Sequence, residues 1–405
     1  MAPIPARRAL IIGGSVGGLF AALMLRRQGW DAQVFERVAT PLSSRGAGII
    51  THPQLRRILE RLGLDASRNL GVAVQQRMAL ARDGSLLGTH ECPQVATSWD
   101  RMFRLLRGAL PDACYHHGAE LAGIDLLADG VRARFADGRT AEGALLVGAD
   151  GIRSGVRAAL LGEVPPVYAG YVAWRGLLAE AAMPEPARTE LFGRFGFCLP
   201  PREQMLGYPV AGEDNDLRVG HRRYNFVWYR PADEATVLPG LLTDATGRTH
   251  ALSIPPPLIR PEVLNAMRAA AAEHLAPVFA QVVAATPMPF LQPIYDIESP
   301  RIAFPRAVLL GDAAFVVRPH LGAGVTKAAE DAACLAAALA AEPELDAALR
   351  RYEAERLPAG RQAVRRGRHL GAYMQAEIST AEQQDAAARH HTPAAVMAET
   401  AVLDF

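Results

Sequence analysis

Apolar residues fill positions 9–12 without a break, stop at Gly13, and return at helical spacing over 19–27. That pattern predicts a buried strand, a glycine turn and a helix, the opening of a βαβ unit. "DAQVFER" predicts a second strand, ending in Glu36, and "VRARFADGRTAEGALLVGADG" a hairpin turning at Asp137-Gly138 before a buried strand over 144–147. Near residue 166 the texture changes. "VYAGYVAWRGLLAE", "QMLGYPVAG" and "DLRVGHRRYNFVWYR" carry alternating aromatics, as an antiparallel sheet requires. In "RYNFVWYR", Tyr224, Phe226 and Trp228 share one face and Asn225, Val227 and Tyr229 the other. The alternation leaves open which face meets a pocket. Helical spacing follows over 258–285, "RAVLLGDAA" restores a buried strand ending at a glycine, and 325–370 is helical again. The tail from about 380 has little apolar content to pack.

The first and last portions therefore read as one α/β domain of Rossmann type, interrupted by a mainly antiparallel sheet domain. The segments are 1–75, 100–165 and 296–345 for the first, 76–99 and 166–295 for the second, with C-terminal helices and tail over 346–405. A plain dehydrogenase has no need of so long an insertion.

Composition narrows the class. Half of the 405 residues are hydrophobic, enough for a large core, and 43 basic side chains balance 42 acidic ones. With no basic stripe, the expected partner is a small molecule rather than nucleic acid. Arg7 and Arg8 before an apolar run imitate a signal peptide, but the glycines between 13 and 18 and the Arg26-Arg27 pair argue for strand, turn and helix. No stretch has the unbroken apolarity of a membrane span. Cys92, Cys114, Cys198 and Cys334 form no C-x-x-C, so neither a zinc site nor a redox dithiol is signalled, and a reducing cytoplasm is the expected location.

Three motifs carry the chemistry. The first turn follows G-x-G-x-x-G as Gly13, Ser15 and Gly18, with serine where the second glycine normally admits a pyrophosphate. Glu36 lies twenty-three residues after Gly13, where a carboxylate can accept from ribose hydroxyls. Alone it would read as a solvated strand-end charge; with the fingerprint, ribose binding is the better account. The second motif, "GADGIRSGVR", ends a strand at Asp150-Gly151 and adds Arg153 and Arg157, a combination suited to phosphates or to a plain surface turn. The third is "VLLGDAAFVVRPHLGAGVTKAAEDA". Asp312 tips a buried strand and a loop from Pro319 to Gly324 enters a helix start, whose N–H groups make a local positive site. A capping aspartate would explain Asp312 but not the tandem of proline and glycines.

Together, over about residues 8–370, these motifs resemble the class A flavoprotein aromatic hydroxylases, single-component FAD monooxygenases. "YAGYVAWRG", "YNFVWYR" and the serine in "GGS" look most like the branch containing 2,6-dihydroxypyridine 3-hydroxylase. The resemblance implies a para-hydroxybenzoate-hydroxylase-like fold, FAD as cofactor, NADPH or NADH as co-substrate and O2. It assigns the ADP half of FAD to Gly13, Ser15, Gly18, Glu36 and Arg37. The DG motif, Asp150 and Gly151, would serve FAD and the pyridine nucleotide. Asp312 would hold the ribityl chain, and Pro319, Gly322 and Gly324 would lie against the flavin ring. Phe315, Thr326 and Trp99 depart from the family's usual histidine, asparagine and arginine, and the last departure bears on whether Arg104 reaches FAD.

In this family a C4a-hydroperoxyflavin delivers oxygen to an electron-rich ring, so the implied substrate is a hydroxylated aromatic or heteroaromatic, dihydroxypyridine-like. A base is expected near its hydroxyl. His320, His52 and Tyr224 are the catalytic candidates, with Tyr208 a further polar group; Tyr171, Trp174, Arg175, Phe226 and Trp228 are candidate pocket walls. A homodimer is compatible with this reading. The competing readings are a halogenase or reductase of the same fold, or a non-catalytic flavin-binding regulator. The absence of a W-x-W-x-I-P motif counts against a halogenase, and the Pro-Gly loop counts against a regulator.

Overall fold

The computed structural model describes residues 7–40, 42, 48–65 and 70–403. Its first layer is a six-stranded sheet in the order Ala303–Phe304, Ala307–Leu309, Leu145–Gly148, Arg8–Ile12, Asp31–Phe35, Tyr115–His116. All neighbours are parallel except the first pair. Apart from the half-exposed Arg8, the central strands are fully buried, which is why they read as unbroken apolar runs. Helix Val16–Arg27 begins three residues earlier than its spacing predicts and packs against helix Gly324–Ala341. Leu121–Leu126, Val131–Phe135 and Thr140–Gly143 form a small antiparallel sheet whose last turn contains Asp137-Gly138.

The second layer is a nine-stranded sheet. Its order is Phe315–Val316, Phe290–Glu298, Val167–Ala179, Arg223–Pro231, Gln204–Val210, Phe195–Cys198, Val72–Leu80, Leu86–Ser98, Gly48–Thr51. Only the pairing of Phe195–Cys198 with Val72–Leu80 is parallel. Strand Gly48–Thr51 belongs to this sheet, although it falls within the first segment expected for the other domain.

The two faces of the large sheet differ in destination. Val172, Trp174, Leu178, Met205, Tyr224, Phe226 and Trp228 pack against helices Glu185–Leu191, Pro261–His274 and Pro277–Ala285. Tyr171, Ala173, Leu206, Tyr208, Val227 and Tyr229 point the other way, toward the first domain. The cavity described below lies between this face and the parallel sheet.

The C-terminal tail departs from expectation. It forms helices Ala381–His390 and Pro393–Glu399, opened by Thr380 in a capping box with Gln383 and by Thr392. Its few apolar residues are well placed: Val396, Met397 and Ala401 are buried against the large sheet. Backbone carbonyls finish the docking, with Arg77 Nη1 donating to Met397 O at 2.5 Å and Gln94 Nε2 to Ala401 O at 2.9 Å.

Candidate functional site

A cavity of about 690 Å³ runs from the glycine turn of the parallel sheet to the inner face of the large sheet. At one end the turn after Arg8–Ile12 must be glycine for steric reasons. Gly13 has φ +105°, and a Cβ there would lie 2.4 Å from Ala149 O; a Cβ on Gly18 would lie 1.9 Å from Gly13 O. Ser15 is the N-cap of helix Val16–Arg27 but makes no side-chain cap bond, so the helix start opens on the cavity with N–H groups available to an anion. Glu36 is buried at the end of its strand, accepting from Gly14 N at 2.8 Å and Val38 N at 2.9 Å. Two donors fix the carboxylate and leave lone pairs for further hydroxyls. Arg37, next to Glu36, lines the same end, and Trp99 also lines the cavity.

The middle is built from the other two motifs. Asp150 takes Ser154 Oγ at 2.5 Å and Val156 N at 3.1 Å, which holds the start of helix Gly155–Leu161 beside the cavity. Burial pushes its carboxyl above the ordinary value, and the Ser154 and Val156 bonds pull it back. Arg153 is exposed on the cavity, but Arg157 is not available to a phosphate. It is buried and donates to Ala313 O at 2.9 Å and Ile152 O at 2.6 Å, tying the second motif to the third. Asp312, Pro319, Gly322 and Gly324 line the cavity, Gly322 in the left-handed region at φ +59°. Helix Gly324–Ala341 also starts without a side-chain cap. Two uncapped helix starts facing one cavity, with a fixed carboxylate at its glycine-turn end, fit a ligand with a ribose, a pyrophosphate and an electron-rich ring.

The far end is a chamber under the large sheet, lined by Arg175, Phe195, Leu206, Tyr208, Val227, Tyr229 and Gln292. Arg175 Nη1 donates to Gln292 Oε1 at 2.8 Å, while its Nε is buried without a hydrogen-bond partner. Among the described residues no carboxylate lies within 4 Å of this guanidinium. Burial pushes the Tyr208 hydroxyl up to about 12 and that of Tyr229 higher still, with Arg175 pulling both back. Both therefore stay protonated at neutral pH and can donate.

The three catalytic candidates do not line the cavity. Tyr224 is fully buried on the opposite face of the sheet, its ring 6.2 Å from Phe192; period-two alternation puts it with Phe226 and Trp228 among the helices. Trp174 goes with them. His52 is buried at the N-cap of helix Pro53–Arg61, with Nδ1 2.9 Å from Thr326 Oγ1, behind Gly322. Arg104 pairs with Asp100 and Asp214 instead of entering the cavity. His320 lies one layer back: its Nε2 is 2.7 Å from Tyr171 Oη, and its ring centroid is 4.6 Å from that of Tyr229, which does face the chamber. Burial, reinforced by the Arg318 charge, lowers its pKa to about 3. A neutral imidazole with so low a pKa, walled off by Tyr229, is a poor proton acceptor. Its backbone has a different use, since Ala401 N donates to His320 O at 2.7 Å. Thr400 and Ala401 thereby become part of the cavity wall, a role no sequence signal announces.

The buried imidazole has a measurable consequence. An unfolded histidine titrates near 6.5, so between about 6.5 and 3 the unfolded chain binds a proton that folded His320 refuses, and stability is lost as pH falls. Between pH 7 and 5 this costs up to about 2 kcal/mol. The parent should therefore lose more stability over that interval than His320→Gln, as read from urea midpoints. Equal losses would show that His320 titrates normally.

A family model described as "FAD binding domain" matches residues 7–194 and 294–367, and one described as "FAD binding domain-like" matches 168–296. The chain is similar to 2,6-dihydroxypyridine 3-monooxygenase of Paenarthrobacter nicotinovorans, 32% identical over 368 residues, which cover 91% of each chain. The solved 2,6-dihydroxypyridine-3-hydroxylase from Arthrobacter nicotinovorans matches with a TM-score of 0.86 at 31% identity, over 93% of this chain and 95% of that one. A Klebsiella pneumoniae HpxO variant complexed with FAD matches with a TM-score of 0.75 at 25% identity, over 94% of each.

Proposed function

Because this chain belongs to the class A FAD-dependent aromatic hydroxylases, enzymes that consume NAD(P)H and O2, we propose that its substrate is a hydroxylated heteroaromatic ring held as an anion by Arg175. The observation that carries this is a guanidinium in the chamber wall with a buried, unpartnered Nε and no carboxylate beside it. Such a charge favours a ligand that brings its own negative oxygen. The similar enzyme from Paenarthrobacter is named for 2,6-dihydroxypyridine, a ring of this kind.

For the cofactor, Gly13, Ser15, Gly18, Glu36 and Arg37 would hold the ADP half. Asp150 would shape the middle of the site, Asp312 would take the ribityl chain, and Pro319, Gly322 and Gly324 would border the ring. When bound, FAD supplies the electron transfer from NAD(P)H and the activation of O2. The protein's part is orientation, charge and exclusion of water. Arg175 and Gln292 would orient the substrate oxygen and favour its deprotonated form, which makes the ring more nucleophilic. Tyr208 and Tyr229, kept neutral by burial, would donate hydrogen bonds to a second ring substituent. Phe195, Leu206 and Val227 would keep the ring dry.

The purified protein should be yellow and release FAD, not FMN. NAD(P)H oxidation should be slow alone and rise at least tenfold with a dihydroxypyridine-like ring under air, giving a product one oxygen atom heavier; population shift on substrate binding is the physical basis. Oxidation equally fast with and without every hydroxylated ring tested would sink the substrate reading.

A further inference from the structure

Lys327 lies in the first turn of helix Gly324–Ala341, behind the turn that carries Asp312. It is only 5% exposed, and its ammonium group makes no hydrogen bond among the described residues. Lysine is rarely so buried, and three donor hydrogens withdrawn from water without an acceptor are costly. Two carboxylates flank it, Asp312 Oδ1 at 4.0 Å and Asp331 Oδ2 at 3.9 Å. Asp331 is already served. Gly311 N donates to it at 2.9 Å and Arg356 Nε at 2.6 Å, and Arg356 also lies 3.5 Å from Glu330. Asp312 has no other cation near it and accepts no hydrogen bond among the described residues; half of its side-chain surface, 51%, faces the cavity.

The Lys327 charge is thus divided between a carboxylate that has a better cation and one that has none. We propose that Lys327 is a positioning residue for FAD, acting through Asp312: it holds that carboxylate charged and in place for the ribityl hydroxyls without touching the cofactor. This rests on the cofactor role given to Asp312 above. The surroundings agree with it. Asp312 is deep in the protein although its tip meets the cavity, so burial pushes its carboxyl above the ordinary value, Lys327 pulls it back, and Asp331 pushes it up again. Lys327 and Asp331 are the charged groups that face it, with Arg356 and Glu330 acting from behind Asp331. Removing the ammonium leaves two carboxylates to repel each other, so Asp312 takes up its proton at a higher pH. Because charge-assisted hydrogen bonds are about twice as strong as neutral ones, protonation weakens its hold on a hydroxyl.

The test is an FAD titration of flavin-stripped protein between pH 6 and 9, followed by flavin fluorescence. Lys327→Met should weaken FAD binding about tenfold at pH 7, and more at pH 6 than at pH 9. Asp312→Asn should weaken it comparably with no added pH dependence, and the double variant should bind no worse than Asp312→Asn alone. If Lys327→Met does not fold, judged by circular dichroism, Lys327→Gln serves the same purpose. Unchanged affinity, losses that multiply in the double variant, or a lowered unfolding midpoint with the parental pH profile would each overturn the inference. A parent protein that binds no FAD would overturn the cofactor assignment beneath it instead.

Discussion

Arg175→Met should keep FAD and lose turnover. Truncating one partner of a desolvated, hydrogen-bonded charge pair costs about 2–5 kcal/mol, which corresponds to roughly 30- to several-thousand-fold in kcat/KM for the hydroxylated ring. The loss should be specific, because Arg175 lies at the chamber end of the cavity, away from the glycine turn and from Glu36. FAD content and NAD(P)H oxidation without substrate should stay near the parent's. Arg175→Lys should recover part of the activity, since it restores the charge but not the fork of donors that can engage two oxygens at once. Steady-state kinetics beside a flavin assay on the same preparations decide the matter. Activity in Arg175→Met within a few-fold of the parent would remove the anionic-substrate reading, and Tyr208 and Tyr229 would be the remaining polar anchors.

What the sequence made legible follows the range of each signal. The turn at Gly13, the strand-end Glu36, the Asp312 tip and the loop from Pro319 to Gly324 are set by neighbours within a few residues, and Gly13, Glu36, Asp312, Pro319, Gly322 and Gly324 all line the cavity. Gly18 lies just inside the helix, where its missing Cβ makes room for Gly13 O. Facing was the harder problem. Period-two alternation groups Tyr224 with Trp228 and Val227 with Tyr229, but its sign depends on where helices Pro261–His274 and Pro277–Ala285 settle, which is a tertiary matter. His320 lies outside the cavity lining for the same reason. Its loop address is local, yet Tyr171 and Tyr229, which bury it and separate it from the chamber, come from strands remote in sequence. Arg157, suited by sequence to a phosphate or to a plain surface turn, is claimed by two backbone carbonyls, Ile152 O of its own motif and Ala313 O of the third.

Deleting residues 393–405 should leave FAD binding largely intact and abolish coupled hydroxylation. The tail was hard to read because its apolar residues are few, but few are needed. Val396, Met397 and Ala401 fill a hollow against the large sheet, and Ala401 adopts a left-handed φ of 55° where its N–H reaches His320 O. Gly322 lies against it, where a Cβ would be 3.1 Å from that of Ala401. Without the tail, the fully buried Arg77 loses one of its two acceptors, leaving Gln94 Oε1, and two apolar side chains worth about 1.5–3 kcal/mol each return to water. Stability should therefore fall by several kcal/mol. The nucleotide end, built from residues 12–18, 36 and 150, has no part in those contacts. The cavity does, because Thr400 and Ala401 are part of its wall, and water admitted there weakens every charge interaction that Arg175 makes. The expected result is continued NAD(P)H oxidation with hydrogen peroxide in place of hydroxylated product, measured as product formed per NAD(P)H consumed. Parental coupling in the shortened protein would mean that the large sheet and the Pro319–Gly324 loop enclose the substrate by themselves.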